Sequence, residues 1–416
     1  MYRQLPKEIQ FSAQHKRLLQ ATTIDESGPG TVLHDFEAFL RFLAGREMPV
    51  TGARQLPLRV LPELNARLAH PLALGLKRPQ QKSYPHIHGL YLLVRASGLT
   101  CLEGTAEKPL LVLDGAAYRA WEGLNPTERY CTLLETWLLR GHPEIIGERG
   151  RFGLRVPETF STCLWFFPRI PDAGLAIAGD KEAEDWLRYT PGWHHLGLLE
   201  LFGLVAVQHG SPEPGKGWRI ERIERTPLGD ALLALLQAGF FGDIHNVLSL
   251  EAEDGMRFGV LQPTLQPYFP AWKNNLSISE WAFREGTHVF KVSLGQMWRR
   301  IAIPADQTLD ELASAILDAV EFGHDHLYEF SYQNRFGVVE RVNHPEMDEG
   351  PWTSEVLVGD VPLRVGQAMT YVFDFGDWWK FDVTLEHVDP GLAIEEPVVL
   401  EQHGEPPVQY DWSDWD

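Results

Sequence analysis

The chain has 416 residues, of which 44% are hydrophobic and 23% charged. These proportions are ordinary for a folded protein and exclude a mainly disordered chain, a collagen-like repeat and a small disulfide scaffold. The formal net charge is −20, from 37 Lys+Arg against 57 Asp+Glu, a poor match to a general phosphate-backbone binder, which needs a basic face.

The charge is unevenly placed. Residues 286–416 hold 7 Lys+Arg against 25 Asp+Glu, so nucleic-acid contact is expected, if anywhere, in the first two thirds. At about 150 residues per domain the length predicts two to three domains. The three cysteines, Cys101, Cys131 and Cys163, form no CxxC. That argues against a disulfide framework or a structural zinc site and for a reducing cytoplasm. Met1 to Gln20 shows no apolar leader, and no apolar run approaches the roughly 18 residues of a membrane helix. A cytoplasmic location without membrane contact is the expectation.

Residues 1–30 read as a lead-in ending at the Glu26–Gly30 break (ESGPG). His34 to Gly45 has helical spacing, with Phe36, Phe39, Leu40, Phe42 and Leu43 apolar and Gly45 as a stop. A second pattern then occurs twice. The first copy runs from Ile87 to Gly104, then Leu110 to Asp114, then a helical Trp121 to Arg140. The second runs from Leu196 to Gly210, then Trp218 to Arg225, then a helix opened by Thr226 and Pro227. Thr226 suits an N-cap and Pro227 the first helical position. An apolar helix ending in Gly-Leu, a hairpin and a further helix make a winged-helix-like layout, or a generic α+β packing unit with the same pattern. Residues 31–145 and 146–282 are read as two such domains, the second ending in a Pro-rich linker from Leu261 to Gly286 that holds Pro263, Pro267 and Pro270.

Winged helices often place a recognition helix in the major groove. The DNA-contact candidates are Lys77, Arg78, Lys82 and Arg95, with Arg219, Arg222 and Arg225 in the second copy. Lys77 to Lys82 (KRPQQK) is the densest positive patch, although such clusters are commonly solvated loops.

From residue 283 the pattern changes. His288 to Leu294 and Met297 to Pro304 read as strands. Asp306 or Thr308 then caps a helix over Leu309 to Phe322, with Leu309, Leu312, Ala313, Ile316, Leu317 and Val320 on its apolar face. His326 to Tyr332 is a third strand. Ala368 to Val388 is two strands around a Phe-Gly-Asp turn. Residues 283–400 are thus expected to form an α+β module with a mixed sheet and one main packing helix. Residues 401–416 are read as an acidic tail carrying Tyr410, Trp412 and Trp415. It suits either an interaction motif or a segment folded back on its own domain.

Three motifs in this module carry a family resemblance. They are Trp298-Arg299-Arg300, then His324-Asp325-His326-Leu327-Tyr328-Glu329-Phe330, then Tyr371 to Trp379 (YVFDFGDWW). In that order and spacing they resemble the plasmid Ri open-reading-frame-three-like family, also called passenger TnpR-like, over about residues 286–390. The stretches YLLVRASGL and ERYCTLLETWLL resemble its longer members less specifically. The resemblance implies a fold and a plasmid or mobile-element context, with no established reaction. A resolvase activity is rejected. Tyr2, Arg3 and Ser12 do not supply a nucleophilic serine in an Arg-rich setting.

His324, Asp325, His326, Asp374 and Asp377 are the catalytic or metal-ligating candidates. Two residues apart on a strand, His324 and His326 would share a face, and imidazoles converging with carboxylates hold divalent ions. The competing structural reading has His326 bonding Asp374 or Asp377 and locking the hairpin to the helix, with Gly376 supplying the turn. Trp298, Arg299, Arg300, Tyr328, Phe330, Trp378 and Trp379 are the binding candidates, the five aromatics among them read as core or groove residues suited to a protein partner. His86, His88, His194 and His195 are read as ordinary histidines, lacking Cys or acidic partners at ligand spacing. No GxxxxGK[ST], GxGxxG after a strand, or GxSxG occurs.

The leading expectation is a non-catalytic accessory protein, without cofactor, acting through protein or nucleoprotein contacts. The alternatives are a metal-dependent hydrolase using the His-Asp-His and Asp-Phe-Gly-Asp motifs, and a winged-helix DNA-binding regulator.

Overall fold

The computed structural model describes residues 10–105, 108–148, 159–242, 257–279 and 281–409. The fold is α+β, and the chain divides into two compact units. One comprises residues 1–101 and 111–279, the other residues 102–110 and 280–416. Among the described residues no helix is long and apolar enough to cross a membrane.

The stretch expected to be a lead-in contains helix α1 (Ala13–Ala21). Ser12 caps it by accepting from the His15 N–H, and the His15 ring accepts from the Ser12 N–H. A histidine takes the place usually held by Glu or Gln in this reciprocal cap, so the start signal is not the standard one.

Elements then follow in an order used twice. The first set is α2 (Val32–Leu43), β1 (Met48–Pro49), α3 (Leu61–Asn65), α4 (Pro85–Ala96), β2 (Thr100–Thr105) and β3 (Lys108–Leu113). Helices α5 (Gly115–Glu122) and α6 (Pro126–Arg140) intervene. The second set is α7 (Thr159–Phe166), β4 (Leu175–Ala176), α8 (Lys181–Leu187), α9 (Trp193–Leu201), β5 (Val205–His209) and β6 (Ile220–Arg225), and α10 (Pro227–Leu236) closes it. The two small sheets have the orders β1-β3-β2 and β4-β6-β5. Each therefore lays its early strand beside its last one, which is an internal repeat of topology.

Local chemistry explains the boundaries. Thr226 caps α10 through the Gly229 N–H, with Pro227 at the first helical position, as the sequence predicts. The helix expected over Trp121–Arg140 is split instead. Asn125 starts α6 by capping Glu128, whose carboxylate returns to the Asn125 N–H.

Helices α4 and α9 pack on each other. Every residue of α4 is buried, as are six of the nine in α9. Two glycines permit the approach. A Cβ on Gly89 would lie 2.7 Å from Leu198 Cγ, and one on Gly197 would lie 3.1 Å from the Pro85 carbonyl carbon. Of the repeats read as separate domains at 31–145 and 146–282, all but residues 102–110 and 280–282 thus sit in one unit.

The Pro-rich stretch expected to be a linker is part of that unit as far as Ser279, after which the second unit begins. Glu135 of α6 accepts from the Gly259 and Leu261 N–H groups at 2.7 and 2.6 Å. Glu128 accepts from those of Lys273 and Asn274 at 3.1 and 2.7 Å. Leu265 and Trp272 are fully buried. Two acidic side chains far away in sequence satisfy backbone donors here, which no local pattern reveals.

The second unit is a seven-stranded sheet covered by one helix. Its strands are β7 (Thr287–Leu294), β8 (Met297–Pro304), β9 (Tyr328–Gln333), β10 (Val339–Asn343), β11 (Ala368–Phe373), β12 (Trp379–Asp389) and β13 (Val398–His403), in the order β10-β9-β11-β12-β7-β8-β13. Every pairing is antiparallel, which corrects the expected mixed sheet. The reason is connectivity: β7 to β8 and β11 to β12 are hairpins, and the long excursions return strands in the opposite sense. The helix, α11 (Leu309–Ala319), buries Leu309, Leu312, Ala313, Ile316 and Leu317, the predicted face. Thr308, not Asp306, is its cap, and Glu311 completes a capping box. Strand β9 starts at Tyr328 and leaves His326 in the preceding loop. Strands β10 and β13 were not foreseen. Every residue of β13 is exposed, so it lacks the alternation that marks a half-buried strand.

Candidate functional site

The close approach of α4 and α9 gathers histidines that lie far apart in sequence. Helix α4 supplies His86 and His88; α9 supplies His194 and His195. A short 3-10 turn, Pro143–Ile146, ends at Gly147 with φ 77° and delivers Glu148. Glu148 Oε1 lies 3.7 Å from His88 Nε2 and 4.0 Å from His194 Nδ1. Among the described residues these three bring ligand-type atoms within 4.8 Å of one another. The His88 and His194 rings meet edge to face at 5.5 Å. Both histidines are buried, whereas the Glu148 side chain is 48% exposed and opens the site to solvent.

Burial pushes His194 down to about 4, with the neighbouring His88 adding to the shift. Burial likewise holds His195 well below the usual histidine range, with His194 and His88 contributing. The Glu148 carboxyl is lowered, chiefly by its interaction with His88. The buried imidazoles His194 and His195 therefore stay neutral at pH 7 and keep a lone pair. Trp137 Nε1 donates to His195 Nδ1 at 3.0 Å. Gln81 Oε1 accepts from the Leu56 N–H at 2.7 Å, and its amide nitrogen lies 2.9 Å from His88 Nδ1. The amide therefore donates to Nδ1, and the His88 proton sits on Nε2. That buried Nε2 has no hydrogen-bond partner.

A second arrangement lies on the same pair of helices. Glu200 of α9 binds His86 Nε2 through one oxygen and His209 Nε2 through the other, each at 2.7 Å. These bonds outweigh burial and hold the Glu200 carboxyl down to about 2. Trp218 packs against both rings. Of His86, His88, His194 and His195, expected to be ordinary for want of acidic partners at ligand spacing, the first three have carboxylates near them that are distant in sequence. The only local signal was the His-x-His and His-His spacing on two apolar helices.

The C-terminal motifs come together only in part. His324 Nε2 bonds Asp318 of α11 at 2.9 Å. His326 Nε2 lies 3.5 Å from Asp374 and 3.9 Å from Asp325. Asp374 takes φ 55°, and its carboxylate accepts from the Gly376 N–H at 2.8 Å, which shapes the turn. Asp377 is exposed, and its N–H points back to Asp374. The expected four-ligand set of His324, His326, Asp374 and Asp377 is thus divided, because His324 and His326 lie in the loop before β9 and do not share a strand face.

The binding candidates separate by burial. Tyr328 and Phe330 are core residues. Arg299 is buried and donates to the carbonyls of Ala319, Trp298, His403 and Gly404, so it is committed to the fold. Arg300 pairs with Glu386 and Glu401. Trp298 stacks on His403. Trp379 packs against the core, while Trp378 is 56% exposed beside Phe375. Of the DNA-contact candidates, Lys77, Arg78 and Lys82 are exposed. Arg95 is 1% exposed within α4, which corrects its assignment to a phosphate-facing surface. Arg219, Arg222 and Arg225 are paired with Glu213 and Glu184, Glu224, and Asp172 and Asp230 respectively. Tyr410, Trp412 and Trp415 of the tail lie outside the described residues.

Residues 289–409 match the family model described as Plasmid pRiA4b ORF-3-like protein. An uncharacterized protein, y4hQ, of Sinorhizobium fredii is 29% identical over 112 residues, which are 26% of this chain and 56% of that protein. The chain thus spans about half the length of this curated relative. A solved protein of unknown function from Methanosarcina mazei Go1 is 26% identical, covers 30% of this chain and 72% of its own, and superposes with a TM-score of 0.27.

Proposed function

We propose that this protein is a non-catalytic binding protein of a plasmid-associated kind that acts through protein contacts, with two winged-helix-type units serving as a frame. One observation carries the reading. In a winged-helix DNA reader the third helix enters the major groove. Helices α4 and α9 hold that place in the two repeats, and each is buried against the other. A helix used as core has no face left for base edges. The arginines of β6 are already paired with carboxylates, which leaves few cations for phosphates.

The acidic second unit is the contact surface in this reading. Phe375 and Trp378 stand exposed on the turn between β11 and β12. Aromatic rings offer large contact area, and the negative field around them favours a basic partner segment.

Fluorescence anisotropy of labelled duplex DNA against the whole chain across a salt series tests the reading. Weak binding without a steep salt slope is expected. Tight, salt-dependent binding that is abolished by charge reversal at Lys77, Arg78 and Lys82 would overturn it in favour of a DNA-binding regulator.

A further inference from the structure

We propose that His88 Nε2, His194 Nδ1 and a Glu148 carboxylate oxygen form a binding site for a divalent ion of the zinc class, with the remaining position open to water. This inference is independent of the binding role above.

The donor set is the first reason. Two imidazoles and one carboxylate suit zinc and its first-row neighbours, whereas calcium and magnesium prefer all-oxygen sites. Geometry is the second. With metal bonds of ~2.0–2.1 Å, neighbouring ligand atoms of a tetrahedral site stand about 3.3 Å apart. The observed 3.7 and 4.0 Å separations need a contraction of several tenths of an ångström. Glu148 can supply its share, because its side chain is half exposed and follows a short turn, and the ligand atoms of His88 and His194 already lie within 4.8 Å of each other. The third reason is the His88 ring itself. It is 2% exposed, its Nε2 has no hydrogen-bond partner, and that atom is aimed at Glu148. At 3.7 and 4.0 Å Glu148 is too far from either imidazole to satisfy it directly; one ion would satisfy all three once the His88 proton moves to Nδ1.

Gln81 makes the inference sharply testable. In the structure its amide fixes the His88 proton on Nε2, the atom that would bind the ion. Occupancy needs the proton on Nδ1 instead, so the Gln81 amide must give up its present arrangement. A carboxylate at that position accepts from both the Leu56 N–H and the His88 Nδ1–H. It would favour the tautomer that ligates. Groups that orient a ligating histidine change metal affinity by about 10–100-fold. Gln81→Glu should therefore tighten binding, although it adds a negative charge in a buried place.

The experiment is competition of the chelator-stripped full-length protein against a chromophoric chelator for Zn²⁺, with thermal unfolding to establish that each variant is folded. Wild type should take one equivalent. Glu148→Gln, at a half-exposed position where folding is not at stake, should weaken it by more than the roughly tenfold lower bound for orienting groups. Gln81→Glu should tighten it by about tenfold or more. His194→Gln tests the third ligand. The proposal is overturned if wild type takes no zinc, or if Glu148→Gln binds as tightly as wild type, since the ion would then sit elsewhere. Unchanged affinity in a folded Gln81→Glu would overturn ligation through His88 Nε2.

Discussion

The buried contact between α4 and α9 can be tested by the sign of one substitution. Inside a helix, alanine is favoured over glycine by about 1 kcal/mol. At Gly89 the added carbon would stand 2.7 Å from Leu198 Cγ, 3.0 Å from Leu198 Cδ2 and 3.2 Å from the His194 carbonyl oxygen. Carbon pairs rest at roughly 3.5–4.0 Å, and the atom in the way is a branch point with little freedom to swing aside. Overpacking of this kind costs about 1–3 kcal/mol. Gly89→Ala should therefore lose about 1 kcal/mol net, against its helix propensity. Gly115→Ala is the control. It opens α5, and the nearest atom to its new carbon is the mobile end of Arg119 at 3.6 Å, so a gain of a few tenths up to about 1 kcal/mol is expected. Urea unfolding at unchanged m-value reads both. Equal gains in the two variants would refute the packing of α4 against α9. With it would go the argument that these helices are withheld from DNA.

Further outcomes follow from other sites. Glu135 is held up at about 7 by burial, so the stability it contributes is complete below its unfolded value and declines as pH rises from there to 7, by at most about 3 kcal/mol. Glu135→Gln should gain on wild type across that interval in urea midpoints, and a constant difference would contradict the buried charge. Glu200, held at about 2, has the opposite sign. Its contribution is present above the ordinary glutamate range and is lost as pH falls through 2, so the penalty of Glu200→Gln should shrink in acid, again by at most about 3 kcal/mol. At the turn, Asp374→Ala should cost about 1–2 kcal/mol through its left-handed backbone and the lost bond to Gly376. Asp374→Asn should recover most of that in thermal unfolding; equal losses would show that the side-chain bond does not hold the turn. Phe330→Ala should cost about 3–5 kcal/mol and Trp378→Ala under about 0.5 kcal/mol, and comparable losses would place Trp378 in the core.

Much of the second unit was legible in the sequence because local forces specify it. Alternation marked β7, β8, β11 and β12, and spacing of Leu309, Leu312, Ala313, Ile316 and Leu317 marked the face of α11. A side-chain period of two or of 3.6 is imposed by the backbone, so a half-buried element records it directly. The exposed β13 carries no such record. The twofold use of helix, Gly-Leu and hairpin was equally legible, as was the cap at Thr226. Tertiary structure alone decided which faces met. Nothing in the sequence states that Gly89 and Gly197 lie on facing helices, so the burial of Arg95 had no local sign and the meeting of His88, His194 and Glu148 none beyond the His-x-His and His-His spacing. The stretch from Leu261 to Ser279 packs into the first unit for the same reason, while the units change at 279/280, inside the expected linker. Its backbone donors are satisfied by Glu128 and Glu135, more than a hundred residues earlier. Periodicity reports that a face is buried. Only the packed chain reports against what, because that is a property of pairs of residues distant in sequence.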